Sequence, residues 1–165
     1  MPSYPQPIWL LSGFFTWAAV LSMVMAGWMA PHVLPLRAET VPADGRDWTA
    51  THRLRVDCGC SAEVFRHLAA RGVEPGWRER VHLNQPQPEW TAVLRRAGFE
   101  VAVSAVRSGP RLALTDPGGR TWQGGYAKHR PQPGVALEDL TFMRIFHAGG
   151  DPERMPAYGC ASNNL

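Results

Sequence analysis

Apolar and polar residues alternate with two different periods along this chain. Leu54 and Val56 alternate with Arg53 and Arg55, the pattern of a half-buried strand that runs out at Asp57. Val64, Phe65, Leu68 and Ala69 then recur at helical spacing. Ser61 is offered as the cap of that helix and Gly72 as its stop. Arg80-Val81-His82-Leu83 alternates again and is closed by Pro86 and Pro88. Trp90, Val93, Leu94 and Ala97 share one helical face, which predicts a helix over Glu89 to Ala97 ended by Gly98. Phe99 to Val103 is extended. Leu112 and Leu114 mark a strand from Arg111 to Thr115, Asp116-Pro117-Gly118-Gly119 is a hairpin connection, and Thr121 to Gly125 returns as its partner. Beyond a loop over Tyr126 to Gly134, Leu137, Leu140, Met143 and Phe146 define a last helix ended by Gly149-Gly150. Two crossover units followed by an antiparallel pair predict an α/β fold: a mixed sheet with helices packed on its faces.

The N-terminus follows neither period. From Ile8 to Ala30 there is no charged residue, and as a helix this run would be about 34 Å long, enough to cross a hydrocarbon core. Trp9 and Trp28 fall near its ends, where aromatic belts sit. A cleaved signal peptide is the alternative. Met1 to Pro7 has no Lys or Arg, the apolar run is long, and the cleavage sites near Ala30 or Ala38 are poor, so an uncleaved signal anchor is expected. The expected organisation is a transmembrane anchor over 1–30, a Pro-rich tether over 31–47, a folded domain over 48–150 and a tail over 151–165.

The candidate chemistry lies between the first strand and its helix. Cys58-Gly59-Cys60 places two of the chain's 3 cysteines in one turn at a helix start. Helix N-terminal amides carry partial positive charge and push a thiol there toward thiolate, the form that attacks disulfides and binds soft metals. Packing alone is a poor account of two cysteines in one such turn. Cys58, nearer the strand end, is expected to be the more exposed, attacking thiol, with Cys60 as its resolving partner. Residues two apart in a turn can still approach the Cα separation of about 5.5–6 Å that disulfides favour, and a strained pair would be labile and oxidising. Cys160, in the tail, is either a cysteine doing little or a third thiol that folds back onto the pair. Asp57 is either a proton acceptor or a solvated strand-end acid. The histidines His52, His67, His82, His129 and His147 stand singly and read as surface or structural groups.

Charge and composition narrow the function. The formal charge is +3, and the cations are almost all arginine, scattered among acids, with Lys128 the only lysine. No basic stripe with interleaved aromatics stands out, which argues against nucleic acid as a partner. No phosphate-cradling Gly-rich loop or Ser-His-Asp set is recognisable.

On these residues the chain resembles the thioredoxin-like family over roughly Trp48 to Gly150. Cys58-Gly59-Cys60 stands where that family has its redox dithiol, although the usual pair has two residues between its cysteines and this one has one. Gly109-Pro110 precedes the strand Arg111 to Thr115, where the family places a cis-proline facing the dithiol, and a Gly-containing turn joins the two antiparallel strands. Anchor, CxC and late Gly-Cys together are similar to small bacterial membrane-tethered redox proteins of the RedB type. The resemblance implies a thiol–disulfide oxidoreductase that needs no cofactor and has two partners, the bilayer and a protein thiol or disulfide. Its site would be Cys58, Cys60 and Cys160, with Gly109 and Pro110 facing the substrate. The alternative is a carrier or assembly factor that holds Cu(I) or another soft metal on the same thiolates. Arg37 and Arg46 after the span, and no cation before it, would place the domain in the cytoplasm by the positive-inside rule. Persistent disulfide chemistry and the resemblance imply an extracytoplasmic, periplasmic domain.

Overall fold

The computed structural model describes residues 8–29, 33–34, 47–106 and 109–159. The chain divides into two compact units, Met1–Pro31 and His32–Leu165. The first holds one helix, α1 (Ile8–Met29), of 22 residues and without a charged side chain. Phe14, Phe15, Trp17 and Val24 are exposed on it. The Thr16 hydroxyl donates back to the Ser12 carbonyl at 2.9 Å, so its polar group is satisfied within the helix. Among the described residues no helix is long and apolar enough to cross a membrane. The side chains of 8–11 and 26–29, and with them Trp9 and Trp28, lie outside the described residues.

The second unit is built on a five-stranded mixed sheet in the order β4-β3-β2-β5-β6. Strand β2 (Thr49–Leu54) runs parallel to β3 (Arg78–Leu83), and β3 runs parallel to β4 (Glu100–Val103). Strand β5 (Arg111–Thr115) is antiparallel to β2 and to β6 (Thr121–Gly124). The helices are α2 (Gly59–Arg71), α3 (Pro88–Arg96) and α4 (Asp139–His147). Both parallel crossovers step the same way across the sheet. Right-handed connections therefore put α2 and α3 on one face. Register confirms it: Leu54 is opposite Leu83, Leu114 is opposite Ala50 and Trp122, and all join one core with Val64, Leu94 and Phe142. The other face presents Thr51, Arg53, Arg80, His82 and Arg111, and none of these three helices packs on it. The expected mixed sheet with helices packed on it is present, with α2 and α3 sharing one face.

Strand β2 starts four residues earlier than its alternation suggests and stops at Leu54. Thr51 and His52 are polar yet buried, which hides the period. His52 is held by partners from distant parts of the chain. It shares hydrogen bonds of 2.7 Å with the Tyr126 hydroxyl and with Glu79 Oε2. Glu79 also accepts two bonds from Arg71, at 2.9 and 2.6 Å, and one from the Glu74 amide at 2.6 Å. Arg71 Nε donates to Asp139 Oδ2 at 2.9 Å, and Asp139 Oδ1 meets His67 Nε2 at 2.8 Å. These partners pull both carboxyls down to about 2 against the opposing effect of burial. Burial in turn holds the Tyr126 phenol protonated. This network links β2, β3, the end of α2 and the start of α4 through the core.

The domain does not end at Gly150. Strand β1 (Val33–Leu34), within the expected tether, pairs antiparallel with β7 (Ala157–Tyr158) in the expected tail. Trp122 Nε1 donates to the Pro152 carbonyl at 2.8 Å, the Gly125 amide donates to Met155 O at 2.9 Å, and Met155 and Ala157 are buried. The approach is possible because position 125 is glycine: a Cβ there would lie 2.0 Å from Pro156 O. At the other border Trp48 packs on Trp77, Phe146 and His147, where the sequence places the start of the folded domain.

Candidate functional site

The turn after β2 is fixed by groups that take its backbone donors. The Arg55 amide donates to Ser61 Oγ at 3.0 Å, the Val56 amide to Asn84 Oδ1 at 2.8 Å, and the Cys58 amide to Arg55 O at 3.2 Å. Ser61 is therefore not the helix cap. Cys58 is, with an extended backbone and its carbonyl accepting from the Ala62 amide at 3.1 Å. Cys58 thus stands at the positive end of α2, with no cap hydrogen bond from its side chain, and Cys60 lies in the first turn.

Both cysteines are thiols and both are buried, at 2% exposure each. Cys58 is thus no more exposed than Cys60, against expectation. The turn is covered from two sides. Gly109 packs against it so closely that a Cβ would lie 3.2 Å from Arg53 O and Arg55 N and 3.4 Å from Ser61 Oγ. Arg130, from the loop after β6, brings Nε to 3.1 Å from Cys60 Sγ. The Cys60 thiol is pushed up, first by its hydrogen bond with Cys58 and then by burial, while Arg130 pulls the other way. The protonated form of Cys60 is thereby favoured.

The Gly109–Pro110 peptide is cis. Arg107 and Ser108, expected in the same turn, lie outside the described residues. Asp57 is exposed and bonded by Arg55, whose Nε donates at 3.0 Å. That guanidinium holds the carboxyl below the usual range, too weak a base to take a thiol's proton. Cys160 lies outside the described residues, and so does any copper or other soft-metal site that needs it. Among the described residues no group of three or more His, Cys, Asp or Glu is assembled for a metal. Its neighbour Gly159 is described: a Cβ there would lie 1.3 Å from Gly109 O. Gly159 thus lies on the cis peptide that itself lies on the cysteine turn.

Gly159→Ala is accordingly expected to lift the tail off this peptide, with about 1–3 kcal/mol lost to overpacking. Hydrogen exchange checks it: the Gly125 amide, protected by Met155 O, should exchange faster. Unchanged protection would show that the tail docks without this contact.

Sequence reasoning missed Arg130, Asn84 and the Ser61 hydroxyl's role in the turn. No local signal marks Arg130, which reaches Cys60 across 70 residues.

No family model matches the chain. No curated protein matches it either. Among solved structures it is similar to the crystal structure of a hypothetical protein from Sinorhizobium meliloti, with a TM-score of 0.50 and 17% identity, over 71% of this chain and 79% of that one. At that identity the likeness concerns the fold alone: an α/β domain on a mixed sheet, here with two adjacent thiols at a helix N-terminus.

Proposed function

We propose that this chain is a thioredoxin-like thiol–disulfide exchange protein of the RedB type, tethered by its N-terminal helix to a membrane with its domain in the periplasm. The strand order is compatible with that family, and the uncharged α1 with the tether. One juxtaposition carries the reading. Two thiols stand at the N-terminus of α2, Arg130 Nε donates to Cys60 Sγ at 3.1 Å, and the Gly109–Pro110 peptide packs on the same turn. A packing role for the cysteines does not explain the guanidinium aimed at one sulfur.

In the exchange, Cys58 thiolate attacks one sulfur of a partner disulfide, and the other leaves as thiolate. Cys60 then gives up its proton and attacks Cys58 Sγ, the mixed disulfide breaks, and the second partner sulfur leaves. The domain ends as a Cys58–Cys60 disulfide, the partner as a dithiol reduced by two electrons. Because both thiols are buried, the partner must displace part of the cover over Cys58 before the first step. The tail reaches this cover through Gly159 and is read as its strap, with Cys160 as a third thiol.

The test is a two-electron cycle. Reduced full-length chain, mixed with a peptide carrying one disulfide, should yield one equivalent of peptide dithiol and a Cys58–Cys60 disulfide mapped by mass. Exchange no faster than that of an unstructured dithiol peptide would sink the reading.

A further inference from the structure

Resting on that exchange reading, we propose that Arg130 is a catalytic residue of its second half: it stabilises the Cys60 thiolate that closes the ring onto Cys58. The geometry is specific. Arg130 Nε donates directly to Cys60 Sγ at 3.1 Å, and Cys60 is 2% exposed, so the contact is sheltered from solvent. Charge-assisted bonds of this kind are stronger than neutral ones.

The loop that presents Arg130 is held on both sides. At its start, the Tyr126 hydroxyl bonds to His52 at 2.7 Å and the Glu138 amide donates to Tyr126 O at 2.8 Å. In its middle, the Tyr158 hydroxyl donates to Lys128 O at 2.5 Å. The carboxylates that flank the cysteines in sequence are engaged by other arginines, Asp57 by Arg55 and Glu63 by Arg66.

The two half-reactions make opposite demands on Cys60, and its two partners supply them in turn. While Cys58 is the nucleophile, Cys60 must stay protonated, the form that its surroundings favour here. Once Cys58 is bonded to the partner's sulfur, no charge remains on Cys58 for that proton to serve. Arg130 is then the charged neighbour left on Cys60, and it favours loss of the proton. Cys60 thiolate forms its bond to Cys58 Sγ, the bond between Cys58 and the partner breaks, and the partner's sulfur takes the electron pair and then a proton. The only co-reactant is the partner disulfide.

The experiment uses reduced full-length chain and dipyridyl disulfide, a neutral probe that releases one absorbing thione at each step. Acid quenching and peptide mapping follow the adduct on Cys58. In Arg130→Met the first step should stay within about twofold, while the mixed disulfide on Cys58 should persist at least about tenfold longer. Arg130→Lys, which keeps the charge, should recover part of that loss. An unchanged adduct lifetime in Arg130→Met overturns the proposal, as does an equal slowing of both steps in both variants. If the wild-type chain forms no adduct on Cys58 at all, it is the exchange reading that fails, and the role of Arg130 falls with it.

Discussion

Cys58→Ser should abolish disulfide exchange, slowing it at least about 100-fold, whereas Cys60→Ser should leave the first attack intact and trap a mixed disulfide. The asymmetry follows from placement. Cys58 is the N-cap of α2, the end of a helix at which negative charge is stabilised. Cys60 is held protonated, chiefly by its bond to Cys58. Serine keeps the volume and the hydrogen bond but is a poor nucleophile without a general base, and Asp57, tied to Arg55, is not placed to serve as one. Stopped-flow with a disulfide peptide, and gels run without reductant, would read both variants. Equal residual activity in the two would mean that neither sulfur has a dedicated role. A trapped adduct on Cys60 in place of Cys58 would reverse the assignment.

Glu79→Gln should destabilise the domain by about 3–5 kcal/mol, the usual cost of removing one member of a buried ion pair. The Glu79 side chain is fully buried and that of Arg71 only 10% exposed, so solvent offers Arg71 little compensation and Asp139 is left to neutralise it. Glutamine keeps the shape but cannot accept from Arg71, His52 and the Glu74 amide together. The same network sets an acid limit. Glu79 and Asp139 are held down to about 2, below the roughly 4 expected of unfolded carboxyls. Their contribution is therefore present above about pH 4 and is lost as pH falls toward 2. Chemical denaturation of wild type and variant at pH 7 and at pH 3 would measure both effects. A variant within about 1 kcal/mol of wild type at pH 7, or a wild type equally stable at both pH values, would show the network to be dispensable.

The apolar periods made most of the framework legible. The hairpin over β5 and β6 was readable because Asp116-Pro117-Gly118-Gly119 is turn chemistry with only a local requirement, and Gly119 does take a positive φ of 86°. The stops at Gly72 and Gly98 were readable for the same reason, with φ of 71° and 97°. What failed was whatever depended on distant partners. The start of β2 was missed because Thr51 and His52 are polar, and His52 looks solvent-facing until Glu79 and Tyr126 are brought to it. Ser61 has the right side chain for a cap, but its hydroxyl is used by the Arg55 amide while the extended backbone of Cys58 takes the cap position. The cysteines were legible as a pair, but their burial was not, because the groups on them arrive from Gly109 and Arg130.

The pairing of Val33 with Tyr158 joins residues from opposite ends of the folded unit. Such a clasp cannot close until Ala157–Tyr158 has been made, after every strand of the main sheet. The sheet, whose partners are closer in sequence, can assemble first, and the clasp then snaps shut over a finished body. A nascent chain stalled before Met155 would therefore carry its two thiols without the strap that Gly159 lays beside them, open to any oxidant it meets.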